Sequence, residues 1–333
     1  MKQFIDHKTL LKTENLSIGY QKTDAILKGL NLQLQAGRLT CLLGPNGCGK
    51  STLLKVLSSI MKPLSGAISL KSRELQDYNA KTLAKTLSMV YTENMAPGNL
   101  TAYAVVALGR FPYTGWMGRL NQEDEQVIQQ AIQRTDMEFL AHRHLGELSD
   151  GERQKVMIAR ALVQDTELMF LDEPTAHLDH PNRLEVFDML KKLAAEDQKA
   201  ILLTTHDLDM ALHHADVLWL VTPEGGIVSG LPEDLVLNGS LAHAFERDDI
   251  AFDYERGGLK KARSSKGKSF SVTGEAPGVD WLRKALERIG YGISTEANSK
   301  ITTEAIHGKW QFHYQLQKFN TIGELIKHLK HDN

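Results

Sequence analysis

Cysteine is scarce in this sequence: Cys41 and Cys48 are the only two in 333 residues. Two cysteines make no disulfide framework and fit a reducing cytosol. Long hydrophobic runs are missing as well. No apolar stretch approaches the roughly 18–20 residues that span a bilayer, so membrane insertion is not expected. The opening MKQFIDHKTL lacks the apolar centre of a signal peptide. An excess of one charge is missing too, since 39 Lys and Arg stand against 41 Asp and Glu. Without a basic excess there is no electrostatic case for a nucleic-acid partner. What is present is ordinary globular chemistry, 42% hydrophobic, in a chain long enough for one large domain and something smaller. The expectation is a cytosolic protein, able to bind a membrane protein but not itself inserted.

Residues 10–45 read as β-rich. LLKTENLSIGY and ILKGLNLQLQAG alternate apolar and polar residues, as half-buried strands do. RLTCLLG is nearly all apolar, as a buried parallel strand is. GAISL and LSMVY are further strand candidates. From about 98 to 165 the period becomes helical, in NLTAYAVVALGR, NQEDEQVIQQAIQRTDMEFL and ERQKVMIARALVQ. Strands and helices then alternate: ELMFLD, PNRLEVFDMLKKLAAED, KAILLTTH, LDMALHHA, DVLWLV. Such an order predicts an α/β fold with a mostly parallel sheet, interrupted by an inserted helical block. GGLKKARSSKGK (257–268) is basic, rich in glycine and serine, and without an acid, so it reads as a linker. Residues 1–256 and 269–333 are then separate domains. The second, with SFSVTGE, VDWLRKALERIG, ITTEAI, KWQFHYQL and TIGELIKHLK, is a small α+β domain in which no catalytic constellation is visible.

The strongest chemical signal is GPNGCGKST (44–52), between a predicted strand and a predicted helix. It fits G-x-x-x-x-G-K-[ST], the loop that cradles a triphosphate. Gly44, Gly47 and Gly49 let the backbone curl so that its N–H groups, with those of Pro45–Cys48 where present, face phosphate oxygens. A helix N-terminus adds partial positive charge. Lys50 is expected on the β- and γ-phosphates, Ser51 on Mg²⁺, and Thr52 on the α-phosphate. Pro45, Asn46 and Cys48 complete the ATP-binding loop, Cys48 as a passive filler. LMFLDEP (168–174) supplies acids at a strand end: Asp172 to hold Mg²⁺ and Glu173 to polarise an attacking water. LLTTHD (202–207) puts His206 at another strand end, where a γ-phosphate would lie. His213 and His214 are read as surface or packing residues.

With LSDGERQ (148–154) added in order, residues 8–250 resemble the ATP-binding subunit of ABC transporters. The resemblance implies a P-loop ATPase domain built from a RecA-like sheet, an antiparallel β subdomain and an inserted helical subdomain at about 95–165. It implies a homodimer in which each LSDGERQ box closes over the ATP of the other subunit, through Ser149 and the backbone near Gly151. It assigns Tyr20 to the adenine, Asp179 to the loop linking the two sites, and His206 to the switch position. NLTAYAVVALGRFPYTGW, with its LGR-x-P run, is similar to importers of ferric siderophores, haem and cobalamin. The implied partners are an integral membrane permease and, indirectly, an extracytoplasmic binding protein, with the chain peripheral on the cytoplasmic face of the inner membrane. A soluble ABC-type ATPase of DNA repair or translation is the alternative. It fits less well, because only about a hundred residues separate Lys50 from Ser149 and no heptad run lies between them.

Four positions depart from the family pattern. Glu93 stands for a glutamine and is expected near Mg²⁺ or the attacking water. Ala176 stands for a serine, Asp150 for a glycine and Glu152 for a glutamine. Ser149 with Glu152 has the spacing of a capping box, so Glu152 is expected to serve the start of the helix RQKVMIARAL. Asp150 is expected to turn toward Arg153.

Overall fold

The computed structural model describes residues 8–20, 25–91, 99–115, 118–245, 250–253, 257–261, 268–306 and 308–331. Two compact units divide between Lys260 and Lys261.

The first unit is organised by a six-stranded sheet. Its strands lie in the order Ile227–Gly230, Val217–Val221, Leu39–Leu43, Ala200–Thr205, Leu168–Leu171, Leu87–Val90. Five run parallel, and only the Ile227–Gly230 edge is antiparallel. Strands buried on both faces must be apolar throughout, and LTCLL, LMFL and AILLTT are buried at every position. Their side chains divide between two cores. Leu39, Cys41 and Leu43 join the core shared with the helical block, whereas Leu42 joins the core under the antiparallel sheet. That second sheet pairs Ala25–Leu30, Thr9–Gly19, Ser65–Leu70 and Arg73–Glu74 in order, with Gln33–Gln35 also on Thr9–Gly19.

Two expected strands differ in detail. Thr9–Gly19 alternates only from Leu11 to Glu14, because Asn15, with φ 45°, shifts the pairing register. A bulge there puts Glu14 and Asn15 in solvent consecutively and returns Leu16 and Ile18 to the core. ILKGLNLQLQAG is two strands, broken between Leu30 and Gln33.

The helical block comprises Ala102–Ala107, Gln122–Arg134 and Asp150–Leu162. The run NLTAYAVVALGR yields only a six-residue helix, followed by a 3₁₀ turn at Leu108–Arg110. The reason is close packing: a Cβ on Gly109 would lie 2.1 Å from the Arg160 carbonyl. The turn delivers Arg110 into the block. There its Nε donates to Asp124 at 2.8 Å, and one Nη donates to the Val163 carbonyl at 3.0 Å. Its guanidinium also stacks 3.8 Å from the Tyr113 ring centroid. Both charges of the pair are almost fully buried. Burial pushes the Asp124 carboxyl up, but the Asn121 N–H and Arg110 outweigh it and hold the group below its ordinary range. Removing one partner of such a pair costs about 3–5 kcal/mol, since the other charge stays buried. The LGR-x-P run is therefore a structural joint of the helical block.

After Val221 come elements with no counterpart in the reading above: Ile227–Gly230, helices Pro232–Leu237 and Ser240–Phe245, and a pair of strands, Ile250–Asp253 with Gly258–Lys261. The last strand occupies the first part of the expected linker; residues 262–267 lie outside the described residues.

The second unit is a five-stranded sheet in the order Gly292–Ile293, Ser269–Gly274, Ser299–Ile306, Lys309–Tyr314, Gln317–Phe319. Its first three strands are parallel and its last two pairings antiparallel. Helices Gly278–Arg288 and Ile322–His331 share its core, where Leu282, Leu286 and Leu325 meet Phe270, Ile301 and Phe312.

Candidate nucleotide site

The parallel sheet aligns the candidate residues at one end. Leu43 pairs with Thr205, Leu171 with Leu203, and Val90 with Leu171. The chain therefore leaves the sheet at neighbouring points into Gly44, Asp172 and His206. Ligands of such sheets bind outside these carboxyl ends. Glu93, two residues beyond Tyr91, lies outside the described residues.

Residues 44–49 form an open loop that runs into the helix Lys50–Leu57. Gly47 and Gly49 have φ of 79° and 102°, a region that side chains resist. Gly44 is constrained differently: a Cβ there would meet Cys48 Sγ at 2.8 Å and Val221 Cβ at 2.9 Å. Lys50 is 6% exposed, and its ammonium donates to the carbonyls of Gly44 at 2.9 Å and Pro45 at 3.1 Å. The lysine thus arches back over its own loop. Burial raises the Cys48 thiol pKa, with Lys50 opposing it, so Cys48 is held as a neutral thiol. Asn46 is exposed. Thr52 is buried and meets the Tyr20 hydroxyl at 3.1 Å, while Tyr20 itself is 74% exposed beside the loop.

Around Asp172 three segments converge. The Ser51 hydroxyl donates to Asp172 Oδ1 at 3.0 Å. The Thr204 hydroxyl donates to the same oxygen at 2.7 Å. The backbone N–H of Glu173 donates to Thr204 Oγ1 at 2.8 Å. Glu173 has φ 47°, a left-handed turn that costs a non-glycine residue about 1–2 kcal/mol. Its carboxylate lies 3.5 Å from His206 Nδ1. The structure thus brings Ser51, Asp172, Glu173 and His206 together beside Lys50. Sequence reasoning missed Thr204. Its signal was a hydroxyl residue, Thr204, followed by a second, Thr205, at the buried end of an apolar strand just before His206.

The box LSDGERQ caps the helix Asp150–Leu162. Ser149 Oγ accepts from the Glu152 N–H at 3.3 Å, and the Ser149 N–H donates back to the Glu152 carboxylate at 2.7 Å. The N–H and hydroxyl of Ser149 hold the Glu152 carboxyl below its ordinary range, and Arg143 and Lys155 add to this. Asp150 pairs with Arg153, whose other Nη donates to the Leu148 carbonyl at 2.9 Å. Gly151 is buried against a neighbour: a Cβ there would lie 2.9 Å from the Asn182 side chain. Asn182 in turn is held by Asp179, the N-cap of helix His180–Asp197, at 2.7 Å. Arg183, one residue on, bonds Asp207 at 3.0 Å, next to His206. The Asp179 loop is thus joined both to the box and to the His206 turn. Ala176 gives its N–H to the Glu173 carbonyl at 3.2 Å.

A glycine-lined phosphate loop, a strand-end Asp-Glu pair, a strand-end histidine and a serine-capped helix define a P-loop ATPase with the ABC arrangement. Comparison with known proteins agrees. The ABC transporter family matches residues 27–176, and the iron ABC transporter C-terminal domain matches residues 266–330. An uncharacterized ABC transporter ATP-binding protein of Methanocaldococcus jannaschii is 39% identical over 276 residues, 82% of this chain and 95% of the relative. The iron(3+)-hydroxamate import ATP-binding protein of Bacillus subtilis is 38% identical over 238 residues, 72% of this chain and 88% of the relative. A solved transporter described as of metal-chelate type, in an inward-facing conformation, superposes with a TM-score of 0.62. It is 30% identical and covers 71% of this chain and 88% of its own. The chain belongs to the family of ABC transporter ATP-binding proteins, and it is an ATPase.

Proposed function

We propose that this ATPase powers import of an iron chelate, of the ferric siderophore, haem or cobalamin type, through a membrane permease. The observation that carries the cargo class is the pairing in one chain of an ABC ATPase unit with a C-terminal segment matching the iron-transporter domain. The hydroxamate-import relative supports the same reading.

The proposed chemistry follows from the site. Loop N–H groups and Lys50 hold the phosphates, and Tyr20 lies against the adenine. The Ser51 hydroxyl and the Asp172 carboxylate, 3.0 Å apart, are hard oxygen donors that fit Mg²⁺. Among the described residues, no group of three or more His, Cys, Asp or Glu side chains is placed to hold a metal ion by itself. Phosphate and water oxygens would therefore complete the shell around the ion, whose chemical contribution is to screen the phosphate charge. Glu173 takes the proton from the attacking water, and His206 contacts the γ-phosphate. Two copies of the chain complete each site, with Ser149 and the Gly151 N–H reaching the partner's γ-phosphate. The Ser149 hydroxyl is engaged with Glu152 and exchanges that bond when the phosphate arrives. Closure and reopening of the dimer would drive the permease through the helical block.

The test is uptake of radio-iron chelates in cells lacking the chain. Wild-type protein should restore uptake, and Glu173→Gln should bind Mg-ATP but restore none. Normal uptake with Glu173→Gln would remove Glu173 from its role. Loss of the chain without any defect in chelate uptake would overturn the cargo class. The membrane itself is left to the permease, for no described helix is long and apolar enough to cross one.

A further inference from the structure

We propose that Thr204 is a positioning residue of the ATPase reaction, setting Asp172 and Glu173 in place together through a single hydroxyl. The inference rests on the roles proposed above for those two acids.

Thr204 has no exposed surface. Its strand runs beside Leu168–Leu171, with Leu203 opposite Leu171. One further step brings Thr204 level with Asp172. A hydroxyl has one proton to give and lone pairs to accept with, and this one does both. It donates to Asp172 Oδ1 at 2.7 Å and accepts the Glu173 N–H at 2.8 Å. Both bonds act on consecutive residues at the point where the chain turns. Glu173 sits there at φ 47°, in a region that persists only where surroundings enforce it. The Thr204 bond to its N–H is one such constraint. At the other end, Asp172 Oδ1 also receives the Ser51 hydroxyl at 3.0 Å. Thr204 thereby places the carboxylate against the phosphate-loop helix.

Packing alone does not account for this residue. Ile201, Leu202 and Leu203 precede it in the strand, and all are buried. A valine has nearly the same shape and suits a strand better than a buried hydroxyl with nothing to bond. The hydroxyl is placed where it satisfies two groups that a methyl would leave short. His206 is two residues farther along, so the strand that fixes the acids also delivers the histidine lying 3.5 Å from Glu173.

The test compares Thr204→Val and Thr204→Ser in the full chain, with Glu173→Gln alongside. Four quantities are read: kcat, the Mg²⁺ concentration for half-maximal ATP binding, ATP affinity in EDTA, and the melting temperature. For Thr204→Val, kcat should fall about tenfold or more and the Mg²⁺ requirement should rise several-fold, as for other supports of ligating groups. ATP affinity in EDTA should stay within about twofold of wild type, because the loop contacts are untouched. Thr204→Ser, which keeps the hydroxyl, should regain most of both kcat and Mg²⁺ response. Wild-type values in Thr204→Val, beside a Glu173→Gln variant without turnover, would overturn the role of Thr204 alone. A serine variant as impaired as the valine, with ATP affinity in EDTA lost in both, would reduce Thr204 to packing. Normal turnover in Glu173→Gln would overturn the reading of the site, and this inference with it.

Discussion

Asp150 brings a negative charge to a box proposed to close over the partner's triphosphate, in the place of a family glycine. Its pairing with Arg153 explains how the charge is tolerated. The guanidinium neutralises the acid locally, and Arg153 is itself steadied by the Leu148 carbonyl. The pair is solvent-exposed, so its contribution to stability is small. Its meaning is electrostatic, toward the phosphate. Asp150→Gly should therefore leave ATPase activity intact or raise it, with a lower KM for ATP. Steady-state kinetics at two salt concentrations would check this, since an electrostatic gain shrinks as salt screens it. A large loss of activity would show that the acid acts directly. At this scale much of the site was legible. GPNGCGKST, Asp172 and Glu173 are carried by residue types and spacing that physical chemistry constrains tightly, and Ser149 with Glu152 announced its own cap. Thr204 and Asn182 were not legible, because their partners are separated from them along the chain or by a strand register. A hydroxyl in a strand says nothing of what lies level with it in the next one.

The helix Asp150–Leu162 shows the same limit at the scale of the element. Its capping box was readable because the pattern is local. The burial of Arg110 was not, because Asp124 and Val163 are brought to it from elsewhere in the block. Helical period alone also overextended the helix that ends at Ala107, since nothing in the period reports the Arg160 carbonyl pressed against Gly109. The cap carries a pH signature whose sign is fixed. Glu152 titrates lower in the folded chain than in the unfolded one, so its contribution is complete above the ordinary glutamate value of about 4.3. It is lost as pH falls through the lower, folded value. Glu152→Gln should therefore be less stable than wild type at neutral pH, and the difference should shrink as the pH drops into that acid window. Melting temperatures of the two proteins across the range check it. A difference that stays constant with pH would show that the carboxylate charge is not what the cap uses.

For the whole molecule, every described residue proposed to touch ATP lies in the first unit, between Tyr20 and His206. The second unit, expected as a small α+β domain, has its own core of Phe270, Leu282, Leu286, Ile301 and Leu325. We propose that it biases assembly or turnover of the ATPase, as a sensor or as a dimer support. A chain ending at Lys260 should bind ATP as the full chain does, yet differ from it in dimer content or in regulated turnover. Size measurement with and without Mg-ATP, beside transport assays, decides the point, and identical behaviour in all of them would deny the second unit either task.

The contact of Gly151 with Asn182 bears on timing. The start of the box helix touches a side chain that Asp179 holds, and Arg183 ties the same segment to the turn bearing His206. Three pieces that serve two different ATP molecules in the proposed dimer are thus one corner of one subunit. In that dimer the box would not reach the partner's nucleotide without the Asp179 loop, and the His206 turn of its own site, moving with it. Docking at one nucleotide brings the corner up to the other, so the two halves would engage as a single all-or-none event.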